Sequence, residues 1–399
     1  MNKNMGTRTF ASLFCGCGGF DLGFTQAGFR CIAAFDNDAL AVEVHLRNLK
    51  SPAMVTDLSN GSMPLSTLSG LDVLLAGPPC QGFSTAGKRD FHDPRNSLLI
   101  TAGHIALKVR PRVFIAENVT GVTSGPHRQY WDSLQQMLRD AGYQTANLLC
   151  EAVKMGVPQI RKRRILIAWS IAKDIDIKIP EVNGGVLRSA LENIINAQNH
   201  NLKLLPLNSD AARIAKRIKP GQKLSDVREG DKAVHTWDIP EVFGETTEAE
   251  KTLLKTILRM RRRLRIRDTG DGDPVRADVL SREFGRTAIK LLTSLEKKGY
   301  VRRFGSTYDL ARTFNGKYRR LKFDEPSLTV DTRFGEPRYF LHPTELRGFT
   351  VREAARIQGF PDTFIFHGPE KAQYRLVGNA VPPTLALQLA RFIKYALLA

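Results

Sequence analysis

The stretch Thr9-Phe10-Ala11-Ser12-Leu13-Phe14-Cys15-Gly16-Cys17-Gly18-Gly19-Phe20 decides how the rest of the chain is read. Its apolar first half suits a buried strand, Thr9–Phe14. The three glycines at 16, 18 and 19 then permit a tight turn into a helix. Bare backbone at a helix N-terminus after a strand is also where a ligand can approach closely. A glycine loop alone is weak evidence, because any tight strand-to-helix turn can use one.

Outward from that turn, short apolar runs alternate with helical patterns through about residue 170. The spacing predicts further strands at Arg30–Phe35, Leu71–Ala76, Val113–Ala116, Tyr143–Leu149 and Arg164–Trp169. Between them, Ala39–Asn48, Ser97–Val109 and Tyr130–Ala141 have amphipathic helical periodicity. Alternation of this kind implies an α/β fold with a doubly wound parallel sheet. After Ile171 the rhythm stops, and it returns as a helical pattern in Pro383–Leu398.

The 399 residues leave room for two or three domains. Basic residues outnumber acidic ones by 59 to 40, a net charge of +19, which favours a polyanionic partner. The surplus is concentrated. Lys251 to Arg320 holds 20 Lys and Arg against 7 Asp and Glu, a net +13. The five cysteines, at 15, 17, 31, 80 and 150, lack disulfide-like spacing. Cys15 and Cys17 could be half of a zinc site, but no second pair sits at ligand spacing, so no metal is expected. Neither a signal-peptide core nor a run of ~18 apolar residues is present, and a cytoplasmic protein with no membrane partner is expected.

Four further elements carry chemistry. Asp36 ends the second predicted strand, where a carboxylate can accept hydrogen bonds from ribose hydroxyls. Gly77-Pro78-Pro79-Cys80-Gln81-Gly82-Phe83-Ser84 follows the third, so Cys80 falls beyond a strand end, on a loop stiffened by two prolines. A buried structural cysteine is the bland alternative. Glu117-Asn118-Val119 ends the fourth strand and is either an acid/base with a raised pKa or a helix-cap carboxylate. Gln159-Ile160-Arg161-Lys162-Arg163-Arg164 precedes the last strand and could be only an exposed basic cluster.

These motifs, in this order, resemble the DNA (cytosine-5) methyltransferases of bacterial restriction–modification systems. Arg352-Glu353-Ala354-Ala355-Arg356-Ile357-Gln358-Gly359-Phe360-Pro361 and Gly378-Asn379-Ala380-Val381-Pro382-Pro383 extend the likeness to nearly the whole chain outside the basic middle region. The resemblance implies an S-adenosylmethionine-dependent methyltransferase sheet with a smaller inserted target-recognition domain. It implies catalytic residues 1–171 completed by 370–399, a recognition domain at 172–320, and 321–369 as a returning hinge.

It also implies a mechanism. The Cys80 thiolate attacks carbon 6 of a flipped-out cytosine, and Glu117 holds a proton toward ring nitrogen 3. Carbon 5 takes the methyl group, and loss of its proton with expulsion of Cys80 restores the ring. Arg161 and Arg163 match positions near the flipped base. S-adenosylmethionine contacts are expected from Phe14, Gly16, Gly18, Gly19, Asp36, Asp57, Pro78, Asn379 and Val381. Asn37 stands where the family often has a bulky side chain against the adenine, leaving Phe14 to cover more of that ring. Gln81 and Ser84 are expected to face DNA.

The basic middle region has one pattern of its own. Ala277–Gly285 and Arg286–Lys298 read as a short and a longer helix, followed by a hairpin at Tyr300–Leu310. That order suggests a winged-helix unit at 277–310, with Arg286 and Lys290 at the start of its DNA-reading helix. A packing subdomain with a solvated charged face is the alternative. Double-stranded DNA is the expected partner, and a companion restriction endonuclease a functional one. A tRNA cytosine-5 methyltransferase and a catalytically silent DNA-binding regulator are the rival readings.

Overall fold

The computed structural model describes residues 7–59, 63, 68–79, 94–171, 175–224, 234–266, 272–311 and 317–398. Cys80, Gln81 and Ser84 lie outside them. The chain divides into two compact units. One comprises 1–201, 323–335 and 350–399, and the other 202–322 and 336–349. These limits differ from those expected, since 175–201 and 350–369 belong with the first unit. Hydrogen bonds tie those segments locally: Leu187 N–H to the Glu325 carbonyl (2.9 Å) and Arg352 N–H to that of Asn199 (2.9 Å).

In the first unit the chain runs β1 (Thr9–Leu13), α1 (Gly19–Gln26), β2 (Arg30–Asp36), α2 (Ala39–Asn48), β3 (Ala53–Val55) and β4 (Val73–Ala76). It continues with α3 (Leu98–Val109), β5 (Val113–Val119), α4 (Arg128–Asp140), β6 (Gln144–Glu151), β7 (Gln159–Ile160) and β8 (Lys162–Trp169). Seven strands form one sheet in the order β3-β2-β1-β4-β5-β8-β6. The expected strands and helices are present within a few residues of their predicted limits. The three-residue edge strand β3 is additional, too short to give a periodic signal.

The sheet is not wholly parallel. β8 runs antiparallel to both β5 and β6. Only ten residues, 152–161, separate β6 from β8, whereas a parallel crossover generally needs a dozen or more. The remaining strands read as continuous apolar runs because both faces are covered. Alternate residues go to opposite sides: Val73 and Leu75 of β4 join the core beneath α1 and the C-terminal helix, and Leu74 and Ala76 join that beneath α3 and α4.

The C-terminal helix Pro383–Phe392 completes the unit by packing on α1. Gly23 is the point of approach. A Cβ there would stand 2.5 Å from the Pro383 carbonyl oxygen and 2.6 Å from the Leu387 nitrogen.

The second unit contains two cores. Helix Asp210–Arg217 and Leu341 contribute to one, and the buried Arg320 guanidinium ties it by donating to the carbonyls of Ala215, Ile218, His342 and Glu345 at 2.6–2.9 Å. The other core is formed by helices Glu248–Arg263, Ala277–Phe284 and Ala288–Lys297 with strands Val275–Arg276, Val301–Phe304 and Thr307–Leu310. Those strands are antiparallel, with Thr307–Leu310 between the other two. Arg286 lies in the turn before the third helix, which starts at Ala288 rather than at Arg286.

Because backbone, not a flexible side chain, meets the added carbon, Gly23→Ala should destabilise the protein by about 1–3 kcal/mol. Urea unfolding would measure it, and a wild-type midpoint would refute this packing.

Candidate active site

β1 hydrogen-bonds β2 on one side and β4 on the other, all parallel. The chain therefore winds outward to β3 and returns to cross over to β4, opening a crevice beyond the carboxyl ends of β1 and β4. A cavity of about 260 Å³ occupies this position. Phe14, Gly16, Asp36, Asp57, Pro78, Glu117, Arg163, Asn379 and Val381 all line it. Residues that sequence reasoning did not assign to the site also line it, among them Asp38, Thr56, Leu58, Leu98, Arg375 and Leu376. These carry no motif signal, since their contribution depends on which segments the sheet brings together.

The glycine loop is shaped by backbone demands. Phe14, Gly16 and Gly18 have φ of 56°, 55° and 93°, in the left-handed region that costs glycine little. At Gly16 an added Cβ would meet nothing within 4 Å, so bare backbone faces the cavity. Gly18 and Gly19 act from behind the lining. A Cβ on Gly19 would fall 2.3 Å from the Val381 carbonyl oxygen, and one on Gly18 would fall 2.7 Å from His45 Cδ2.

Asp36 holds this loop. Its Oδ2 accepts the Gly16 N–H (2.8 Å) and its Oδ1 accepts that of Asp38 (2.9 Å). Burial nevertheless raises its pKa, and these hydrogen bonds only partly oppose the shift. Asp38 caps α2, accepting from Leu40 (3.1 Å) and Ala41 (3.4 Å), and pairs with Arg375. Burial acts to raise its pKa, but the Arg375 guanidinium and the cap hydrogen bonds hold it below the usual range. Asp57 is exposed and accepts the Ser59 N–H at 2.9 Å, which lowers its pKa.

The opposite end of the cavity is set by β4, β5 and β8. Glu117, buried at the end of β5, receives Arg163 Nε at 2.7 Å. The register that pairs Val119 with Arg163 puts them on neighbouring strands. Asn118 Nδ2 donates to the Pro78 carbonyl (3.4 Å), tying the proline loop to β5. Pro79 lines the cavity with Glu117, and Cys80 is the next residue.

Arg161 does not belong with these groups. Its guanidinium is buried and donates to the carbonyls of Val330 (3.1 Å), Gly378 (3.3 Å) and Ala380 (3.0 Å). The two-residue spacing gives Arg161 and Arg163 different surroundings, and Arg161 holds the segment carrying Asn379 and Val381. Gln159 works beside it, donating to Gln358 Oε1 (2.6 Å) and accepting from Val330 N–H (3.1 Å). Arg286 and Lys290 are exposed in the second unit and are no part of this cavity.

The four described cysteines are buried and free. Burial pushes the thiols of Cys17 and Cys150 up to about 12 and raises those of Cys15 and Cys31. All four stay protonated at neutral pH and are poor nucleophiles. Among the described residues no group of three metal-ligating side chains occurs, and no helix is long and apolar enough to cross a membrane.

Four carboxylates and two guanidiniums line the cavity, which is thus net negative inside a strongly basic chain. The Gly16 N–H, which in a phosphate-binding loop would be free, is taken by Asp36. Such a lining fits a cationic ligand bearing hydroxyls and disfavours a diphosphate.

Fold and cavity together define an enzyme of the α/β methyltransferase class. The chain belongs to the C-5 cytosine-specific DNA methylase family, whose model matches residues 8–395, and acts as a DNA (cytosine-5) methyltransferase. It is 31% identical to the Type II methyltransferase M.AgeI of Thalassovita gelatinovora, over 96% of this chain and 99% of that protein. With M.DdeI of Desulfomicrobium norvegicum it shares 30% identity, over 96% and 88%. Two solved structures share its fold. One is a putative DNA modification methyltransferase encoded within an E. coli prophage (TM-score 0.58, 23% identity, covering 98% of this chain and 100% of that one). The other is the S. pombe Dnmt2 methyltransferase (0.54, 14%, covering 98% and 99%).

Arg161→Met should behave as a loss of positioning. Each carbonyl left without a partner costs about 1–3 kcal/mol, so the unfolding midpoint should fall markedly. A wild-type midpoint would return Arg161 to the catalytic group.

Proposed function

We propose that this enzyme binds S-adenosylmethionine in the acid-lined cavity and methylates carbon 5 of a cytosine flipped out of a specific duplex sequence. The observation that carries the reading is the Glu117–Arg163 pair at the inner end of that cavity, beside the prolines that lead into Cys80. Asp36 would accept hydrogen bonds from the ribose hydroxyls, and Asn379 and Val381 would close the pocket. When bound, the cofactor supplies an electrophilic methyl group.

The chain's own residues supply the rest. Cys80 adds through sulfur to carbon 6 of the cytosine, pushing electron density to carbon 5. Glu117, oriented by Arg163, holds a proton toward ring nitrogen 3 and offsets the charge developing there. After methylation, loss of the carbon 5 proton expels the Cys80 thiolate and restores aromaticity. Flipping the base costs a few kcal/mol, because the target carbon is unreachable within the stack. Gln81 and Ser84, close to Cys80 in the sequence, would face the DNA.

The second unit is the proposed target-recognition domain. The element order of its larger core is that of a winged helix, with Ala288–Lys297 as the reading helix. The distribution of charge supports this. Arg276 and Arg282 pair with Asp278, Lys298 with Glu250, Arg259 and Arg263 with Glu283, and the buried Arg261 with Asp309. Arg286, Lys290, Lys297 and Arg302 are exposed and have no carboxylate partner among the described residues. They lie on the reading helix, the turn before it and the hairpin. As the relatives' Type II names suggest, the biological role would be protection of DNA from a companion restriction endonuclease.

Cys80→Ser should abolish methyl transfer while DNA binding persists, and wild type should form a denaturation-resistant adduct with 5-fluorocytosine DNA. An adduct that survives in the serine variant would place the nucleophile elsewhere. Glu117→Gln should lower the rate by ~10²–10⁴ without loss of folding; a rate within a few-fold of wild type would make Glu117 a structural carboxylate.

Arg286→Ala or Lys290→Ala should cost ~1–3 kcal/mol on the cognate site and relax preference at one base position. Arg302→Ala should instead weaken all duplexes alike and flatten the salt dependence. Competition titrations at several salt concentrations separate the two effects. Uniform losses throughout would reject the winged-helix reader.

A further inference from the structure

We infer that Arg375, braced by Asp38, covers one face of the cofactor's purine. The inference rests on the S-adenosylmethionine reading and locates its adenine. Methyl transfer must occur at the Glu117 and Pro79 end, and Asp36 lies between that end and the edge of the sheet. A nucleoside running outward from the reacting centre past Asp36 puts its base beside Asn37, Asp38, Thr56, Asp57 and Leu58, at the carboxyl ends of β2 and β3.

A purine is flat and apolar on both faces. Of the two aromatic side chains in the lining, Phe14, expected from the sequence to cover the ring, packs against the core that contains Leu58, and Phe20 belongs to the start of α1. At the β2–β3 end the lining is polar apart from Ala41 and the buried Leu58. Leu58 can serve one face only. Arg375 reaches this end from helix Glu370–Asn379, whose Leu376 and Asn379 also line the cavity.

Its guanidinium is held in place. Asp38 Oδ2 accepts from Arg375 Nη1, while Oδ1 of the same carboxylate caps α2. The helix bearing Arg375 is itself fixed, since a Cβ on Gly378 would fall 2.6 Å from the Asp331 backbone. A planar guanidinium stacks on a nucleobase as an aromatic ring does, and an ammonium does not. Arg375 retains 45% exposure of its side chain, so a ligand face can still be laid against it.

The test is calorimetric titration of the full chain with S-adenosylhomocysteine, which needs no turnover. Arg375→Ala should weaken binding by about 2–30-fold. Arg375→Lys, which keeps the charge for Asp38 but lacks the plane, should be as weak. Adding Asn37→Phe to Arg375→Ala should restore most of the affinity by supplying a ring at the same end. Wild-type affinity in either Arg375→Ala or Arg375→Lys would overturn the inference, the latter showing that the ion pair alone matters. Failure of the wild-type enzyme to bind S-adenosylhomocysteine would instead remove the cofactor reading beneath it.

Discussion

Parallel pairing of Thr9–Leu13 with a neighbour on each side is the constraint from which the active unit follows. A strand in this position cannot be followed by successive neighbours on one edge alone. The chain must wind one way to β3 and then return across β1 to β4, and the loops leaving β1 and β4 diverge above the sheet. The gap between them is the cavity. Glycine at 16 leaves it open at the backbone, and the rigid prolines at 78 and 79 bring the chain back to its rim.

The cavity wall is finished by segments far away in sequence, and buried polar groups fix them. Gln159, Arg161 and Gln358 bind the β7–β8 region to the carbonyls of Val330, Ile357, Val377, Gly378 and Ala380. Arg352, without any exposed side-chain surface, does the same for Gln198, Pro361 and Phe364. Buried groups of this kind are stable only when satisfied, and each carbonyl they serve would be costly if left bare. Much of what looks in sequence like catalytic signature is therefore a scaffold for the late helix bearing Arg375 and Asn379.

Charge is sorted as well as placed. A chain of net +19 lines this cavity with an excess of carboxylates. In the second unit, acidic residues neutralise cations such as the buried Arg261 and Lys298, which pairs with the buried Glu250, leaving the helix Ala288–Lys297 and the following hairpin with exposed cations. Total charge announces a polyanionic partner, but only this local pairing says which side chains remain available to one.

The sequence by itself determined the strand–helix alternation, the glycine turn, the position of Asp36 and Glu117 at strand ends, and the helix–helix–hairpin order near residue 300. Local periodicity and backbone stereochemistry dictate these, and they act over a few residues. Tertiary structure alone decided that β8 runs antiparallel and that Arg161 braces the fold while Arg163, two residues on, meets Glu117. It alone brought Arg375 to Asp38 across 337 positions of chain. Hydrogen-bond partners of a buried cation depend on which segments the sheet and its helices press together, and no spacing along the chain encodes that.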